Sequence, residues 1–533
     1  MEGLENMAFV ANAVSLFTYF YGYMNFSITK SATTLTNFMG TAFLLSLFGG
    51  FLSDTYLSRF TTCVLFGTFE ILGYVLLTVQ ARVHQLRPTP CNGAAALSGG
   101  SQSTLYIGLY LIALGTSGVK AALPSLGADQ FDSRNPKEAG KLSSFFNWFL
   151  FSLTVGAIVG VTIVVWVSAN VGWDWGFGLC GLAVLCAVVF VSMGKSLYRM
   201  NAPSGSPFVR FAQVFVAAIR NWNVPTPKAE DELYEIKEKG KGGINGEILQ
   251  RTHQFRYVSN QNVELSPTNL NPWRLCTTTQ VEETKILIRM LPIILSTVFM
   301  NTCLAQLQTF TIQQSTTMDR NFLGFQIPGP SIPVIPLLFM FLLIPLYDRV
   351  FVPLARRFTG IPTGIRHLQR IGIGLVLSAV SMAVAGIVET KRKRVAVEHG
   401  MYSVFWLGFQ YSIFGAADMF TLVGLLEFFY SESSAGMKAL STAISWTSLA
   451  FGYFLSTVVV EVVNKVSGGW LESNNLNRDK LNYFYWLLSA LSVVNLGAYL
   501  LCASWYRYKE VEVVVAAREG DGREKRVGEF VGV

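Results

Sequence analysis

The chain has 533 residues, of which 51% are hydrophobic and only 14% charged, with a formal net charge of +8. A water-soluble chain of this length needs more charge to cover its surface, and apolar runs of roughly 18 residues or more, enough to cross the hydrocarbon, recur along it. Composition therefore excludes a soluble globular protein and predicts a polytopic one in contact with the lipid bilayer. The basic excess is scattered among loops and forms no stripe interleaved with aromatics, so no nucleic-acid partner is expected. The seven cysteines are odd in number and lack CxxC spacing, which argues against a disulfide or metal framework.

In chain order, the opening MEGLENMAFVANAVSLFTYF lacks a basic n-region and a small-residue cleavage site, and reads as a first span rather than a cleaved signal peptide. Span length and polar punctuation predict helices at about 3–25, 34–53, 60–81, 104–126, 143–168 and 176–195, then at about 285–308, 331–352, 366–388, 402–428, 437–464 and 483–506. The expected fold is all-α, with about twelve transmembrane helices in two six-helix halves, 1–197 and 281–508. A cytoplasmic linker at 198–280 separates them, and a cytoplasmic tail at 509–533 follows. Within the linker, PFVRFAQVFVAAIRNW has apolar residues at helical spacing and basic residues on the other face, which predicts a helix lying on the membrane surface.

The halves carry a trace of duplication. SDTYLSRF follows the second helix and YDRVFVPLARRFTG the eighth, each a short acidic-then-basic turn at an equivalent place. Such repeats, with a substrate site between the halves near the midplane, are typical of secondary transporters. Basic loops at 134–141, 195–199 and 349–370 put both termini in the cytoplasm, with the run KRKR at 391–394 as a violation of the positive-inside rule.

GGFLSDTYLSRF, YLIALGTSGVKAALPSLGADQFD, FFNWFLFS, TQVEETKILIRMLPI, YDRVFVPLARRFTG, LQRIGIGL and the pair GAADMF/LLEFFY resemble the plant nitrate/peptide transporter family. That is the plant branch of the proton-coupled oligopeptide transporters, within the major facilitator superfamily. The segment ENMAFVANAVSLFTYFYGYMNFSITKSATTLTNFMGTAF further resembles the subfamily associated with abscisic acid, gibberellin and, in some members, nitrate. The resemblance implies a major facilitator fold and alternating access at the plasma membrane. It also implies proton-coupled symport of a small organic anion, with the proton as coupling ion and no cofactor.

Charged groups in the membrane cost from about 3 kcal/mol upward on insertion scales, so those near span centres are functional candidates. Lys120 interrupts the apolar run LYIGLYLIALGTSGVKAALPSLG. Snorkelling competes: the lysine lies nine residues before Asp129, roughly 13 Å along a helix, and its stem covers about half of that. By resemblance, GTSGVK is the family's fourth-helix segment, whose lysine faces the central cavity and meets a substrate anion or a carboxylate. Glu2 and Glu5 share a helix face, and burial beside a like charge suits one of them to carry a proton. A solvated amino-terminal turn is the competing reading. They match the family's first-helix ExxE, but Asn6 stands where the family has a basic residue, which weakens the expectation of tight coupling. Family members carry a leader before this helix, and a shortened start fits its absence.

Asp418 and Glu427 match the family's paired acidic positions, one of them expected to face Lys120, although Glu427 nears the cytoplasmic end and has a structural alternative. Glu70 is also midspan; a hydrogen bond to a neighbouring helix is its expected role. Asp54, Arg59, Asp129, Arg349, Arg356 and Arg357 suit charge networks that gate the cytoplasmic side. Thr62 aligns with a phosphorylated threonine of a nitrate-sensing relative and is a regulatory candidate. Gln306, Gln308 and Thr309 offer hydrogen bonds to substrate, and Phe9, Tyr19, Tyr23, Phe149 and Trp406 aromatic walls.

Peptide-carrying relatives have tyrosines where this chain has Phe9 and Val10, and an arginine where it has Ala13; a dipeptide would leave its polar backbone unpaired here. Leu304 stands where a nitrate-binding relative has histidine. An amphipathic carboxylate such as abscisic acid or gibberellin is therefore the expected substrate, with low-affinity nitrate transport, a proton-independent uniporter or a transport-like receptor as alternatives. His84, His253, His367 and His399 lie in or beside loops, and neither HExxH nor GxSxG is present, so no enzyme is expected.

Overall fold

The computed structural model describes residues 1–533 except 27, 87–98, 132–135, 200–206, 221–247, 250–251, 253–272, 274–275, 323–324, 327–330, 362, 399, 434–436, 472–476, 478, 509–510 and 513–533. Most of the predicted linker and nearly all of the predicted tail thus lie outside the described residues.

The first half comprises α1 (Glu2–Thr18), continued by a π-helical turn Tyr19–Tyr23, then α2 (Thr34–Thr55), α3 (Arg59–Arg82), α4 (Gln102–Ala128), α5 (Lys141–Asn170) and α6 (Trp173–Leu197). The surface helix α7 (Pro207–Arg220) follows. The second half comprises α8 (Thr278–Ser315), α9 (Val334–Thr359), α10 (His367–Val397), α11 (Val404–Glu432), α12 (Lys438–Ser467) and α13 (Leu481–Trp505). Among the described residues, eleven helices are long and apolar enough to cross a membrane. The exception to the expected twelve is α1, only 17 residues long before its π turn and burying Glu2, Glu5, Asn6, Asn12 and Ser15. Residues that lower its hydropathy face protein rather than lipid.

Each half has its own apolar core, and Met340, Tyr347, Met419 and Trp446 of the second half join the core of the first. The halves meet along α2 with α12 and α5 with α9. A helix forms where the amphipathic segment was expected: Val214 and Ala217 pack on Cys276 and Val281 at the start of α8, while Phe215 and Ile219 face outward.

Two boundaries differ from expectation for electrostatic reasons. Helix α8 starts seven residues before the predicted 285, with Thr277 and Gln280 forming a capping box. The charges of VEETK, left out of the predicted helix, are paired: Lys285 donates to Glu282 at 2.7 Å and Arg210 lies 3.6 Å from Glu283. In KRKR, Arg392 is buried and makes a two-pronged contact with Glu389 at 2.7 Å, and Lys393 donates to the Asp479 carbonyl. Half of the apparent violation of the positive-inside rule is thus absorbed into the fold.

Close packing of α3 on α4 depends on glycine. A Cβ on Gly115 would lie 2.5 Å from the Glu70 backbone nitrogen, and one on Gly118 would lie 2.1 Å from the Phe66 ring. Gly115→Leu is expected to destabilise the first half by at least the 1–3 kcal/mol typical of overpacking, about 1 kcal/mol being the least consequential case. Loss of the monodisperse detergent-solubilised peak by fluorescence size-exclusion chromatography would show it; a wild-type profile would contradict it.

Candidate substrate site and inter-half lock

A cavity of about 460 Å³ lies between the halves. Its floor holds Asn6 and Lys120, and it extends along α1 to Thr18 and along α8 to Gln313. Among its lining residues only Lys120 and Asp418 are charged, and most of the rest are apolar.

Lys120 does not snorkel. It is buried, and its ammonium donates to Glu5 at 3.1 Å and to the Asn6 amide oxygen at 3.5 Å. The rings of Phe9 and Trp446 lie 4.7 and 5.5 Å away, placing the cation against two aromatic faces. Trp446 was not among the sequence candidates, since an aromatic in an apolar helix carries no distinguishing signal. It stacks on Phe43 of the opposite half with ring centroids 6.0 Å apart. Asn6 fills the position of the family's basic residue by donating to the Leu153 carbonyl at 2.8 Å while accepting from Lys120. One cation therefore serves Glu5, where a basic residue in place of Asn6 would make two.

Glu2 is buried, and neither of its carboxyl oxygens has a hydrogen-bond partner among the described residues. The two glutamates are accordingly not a solvated helix start. Asp418 lines the cavity and has neither a hydrogen bond nor an ion pair among the described residues. Gln308 also lines it, accepting from Tyr453 at 2.5 Å, and Tyr453 lies within electrostatic reach of Asp418. Thr309 lines it too, with its hydroxyl turned to the Ala305 carbonyl at 2.9 Å.

Several candidates fall elsewhere. Glu427 does not face Lys120; it sits outside the cavity, 3.5 Å from Arg370 and 3.6 Å from His367. Gln306 points away from the cavity and donates to Ser456 at 2.7 Å. Tyr19 is buried against Tyr23, Trp173 and Phe177, because the π turn rotates it toward α6. Trp406 lies in the opening turn of α11, half exposed, with Tyr402 stacked on it and Lys391 over its ring. Tyr23 and Phe149 are likewise absent from the lining, leaving Phe9 as the aromatic wall that the sequence identified. Phe9, Val10, Ala13 and Leu304, the positions where this chain departs from peptide- and nitrate-binding relatives, all face the cavity.

The charged helix ends close one end of the molecule with a repeated design. In the first half Arg59 bridges Asp54, at 3.5 Å, and Asp129. Both carboxylates reach across: Asp54 accepts from the Leu440 backbone N–H at 2.8 Å, and Asp129 from the Tyr430 hydroxyl at 2.8 Å. In the second half Asp348 accepts from Ser144 and Asn147, each at 2.8 Å, and from Trp148 at 3.1 Å, while Arg370 donates to Asn147 at 2.7 Å. In each half an aspartate near the end of the second span meets the start of the other half's fifth. Glu427 with Arg370 is then the counterpart of Asp129 with Arg59. Arg349 joins through the Trp148 ring, 5.4 Å away. Arg356 and Arg357 are exposed. Thr62 is buried, with its hydroxyl donating to the Ser58 carbonyl at 3.1 Å.

The POT family model, PTR2, matches residues 60–476. The chain belongs to the POT family. It is 43% identical over 527 residues to protein NRT1/PTR FAMILY 4.5 of Arabidopsis thaliana, covering 95% of this chain and 92% of the relative. Protein NRT1/PTR FAMILY 4.6 of the same plant is 41% identical over 547 residues, with 96% and 93% covered. Among solved structures, the POT family transporter PepTSo superposes with a TM-score of 0.64 at 16% identity, covering 95% of this chain and 96% of that one. An auto-inhibited POT family peptide transporter gives 0.61 at 18%, covering 98% and 97%. The fold is the major facilitator fold, and this POT family member is an integral membrane transporter, not an enzyme.

Removing the Asp54 carboxylate strips the Leu440 N–H and Arg59 of one partner. A hydrogen bond to a charged group contributes about 1.5–3 kcal/mol, so Asp54→Ala is expected to loosen the lock by one to two powers of ten. Maleimide labelling of a Ser125→Cys reporter, placed where Ser125 meets Thr442 at 3.0 Å, should accelerate accordingly. An unchanged rate would remove Asp54 from the lock.

Proposed function

We propose that this protein is a proton-coupled symporter that imports a small organic anion, a carboxylate plant hormone of the abscisic acid or gibberellin type, across the plasma membrane by alternating access. The observation that carries the reading is Lys120, the lone cation of the lining, buried beside Glu5 at the floor of a largely apolar cavity. With both termini cytoplasmic, the lock closes the cytoplasmic side and the cavity belongs to the outer one.

Coupling follows from charge balance. A substrate carboxylate that takes Lys120 displaces Glu5, and a buried carboxylate without a cation costs several kcal/mol. Protonation of Glu5 removes that cost, so one proton accompanies one anion. Asp418, unpaired on the cavity wall, can take a second proton and let the membrane potential contribute, about 2.3 kcal/mol per charge per 100 mV. Apolar walls at Phe9, Val10, Ala13 and Leu304 suit a hydrocarbon body; pockets of roughly 300–1,000 Å³ typically take ligands of drug size. A four-atom inorganic anion would leave most of this volume unfilled. A solved POT family transporter of the same fold was crystallised with 5-aminolevulinic acid, which supports carboxylate cargo for the fold.

Uptake of labelled abscisic acid, gibberellin and nitrate in oocytes, at acidic and neutral external pH, tests this reading. Uptake of one of the hormones should rise with acidity and collapse with a protonophore; insensitivity to both would sink symport, and dipeptide uptake would overturn the substrate class. Lys120→Gln should reduce uptake to background while surface expression persists. Preserved transport would mean the ammonium is structural.

A further inference from the structure

Behind the Lys120–Glu5 pair, on the side away from the cavity, stands Glu70 of α3. It is fully buried, and neither carboxyl oxygen has a hydrogen-bond partner among the described residues. Its backbone presses on Gly115, which fixes the carboxyl beside Thr116 and within electrostatic reach of Glu5, Lys120 and Glu2. The Thr116 hydroxyl is also buried without a partner in bonding geometry, and it neighbours Glu5 as well. The groups that face Glu70 are Glu2 and Glu5 from α1, Lys120 from α4, Tyr74 from α3 and Cys180 from α6. Tyr74 is engaged by Asn12, whose amide donates to its hydroxyl at 2.7 Å, and Cys180 by the Ala8 carbonyl at 3.9 Å.

Three carboxyls and the Lys120 ammonium thus share a volume from which water is excluded, and the chain's α-amino group also lies within electrostatic reach of Glu2 and Glu5 but is not a neighbour of Glu70. Lys120 can neutralise one carboxylate; an isolated second one would meet the full penalty of burial. Lys120 therefore favours one carboxylate over the other two, and Glu5 is the carboxyl paired with it in this structure.

We propose that Glu70 is a second proton-binding carboxyl of the coupling site, exchanging one proton with Glu5 through the Thr116 hydroxyl. This rests on the proton-coupled reading above. In the exchange the Glu70 O–H bond breaks as its proton passes to the Thr116 oxygen, Thr116 gives its own proton to Glu5, and the negative charge moves from Glu5 to Glu70. No proton enters or leaves the cluster. Glu5 then releases Lys120 to the substrate anion; the Glu70 carboxylate left without a cation is short-lived because of its burial, and it draws a proton inward from the cavity. A proton from the cavity later replaces the one on Glu5 as Glu5 hands its own back to Glu70. Net uptake is one proton.

Glu70→Gln is shaped like the protonated acid but cannot exchange. It should force the external proton to reach Glu5 first, moving half-maximal uptake to a lower external pH by about one unit, a tenfold rise in proton concentration. Counterflow exchange at acidic pH should persist. Thr116→Val should give the same shift, and serves if Glu70→Gln fails to reach the membrane; Glu70→Asp should restore part of the wild-type profile. A wild-type pH profile in either Glu70→Gln or Thr116→Val overturns the exchange while leaving symport intact. Wild-type uptake that ignores pH and protonophore instead overturns symport itself, and the exchange with it.

Discussion

A single ammonium placed where water cannot solvate it governs this molecule. Lys120 is tolerated at midspan because Glu5 lies 3.1 Å away and two aromatic faces flank it. The same contacts make it responsive, since breaking a buried pair by removing one partner costs roughly 3–5 kcal/mol. Anything that competes for Lys120 must therefore bring a negative charge or leave Glu5 protonated. On the proposed reading, substrate binding and proton binding are two solutions to one electrostatic problem, and Asn6 sharpens it by supplying an amide where a second cation would relax the competition.

The lock beyond the cavity floor uses the repeat differently. Asp54 and Asp348 stand in equivalent turns of the two halves, and each accepts hydrogen bonds from the other half. Asp54 docks on a helix start, which presents unpaired N–H groups and a positive dipole end, whereas Asp348 is held by side chains of the facing helix. Duplication thus yields two clasps across one interface, on either side of the pseudo-two-fold axis. Glu427 takes its meaning from this symmetry: its place matches Asp129, beside an arginine at the start of a third helix, and not the cavity wall where Asp418 stands nine residues earlier.

What was legible in the sequence follows from the bilayer. Lipid demands long apolar runs, which gave the helices, the six-and-six division, the surface helix and the isolated charges of Lys120, Glu5 and Asp418. Charged helix ends were harder. The predicted helix started only at 285, after most of VEETK, and KRKR looked like an external charge excess, because periodicity cannot report that Lys285 meets Glu282 or that Arg392 meets Glu389. Aromatic residues were hardest. Tyr19, Trp406 and Phe9 carry the same signal in a hydrophobic segment, yet one packs on α6, one lies in the opening turn of α11 and one lies against the ammonium.

Sequence by itself determined that the chain must cross a membrane repeatedly, that its halves are related, and that a few buried charges need partners, because apolar length and the cost of burying charge are properties of residues. Only the tertiary structure decided which partners those charges have: Lys120 with Glu5 and not Asp418, Glu427 with Arg370, and Glu70 packed behind the pair against Gly115. Partnership depends on which helix faces meet, and here that is set by glycine contacts and a π turn that no single segment reveals.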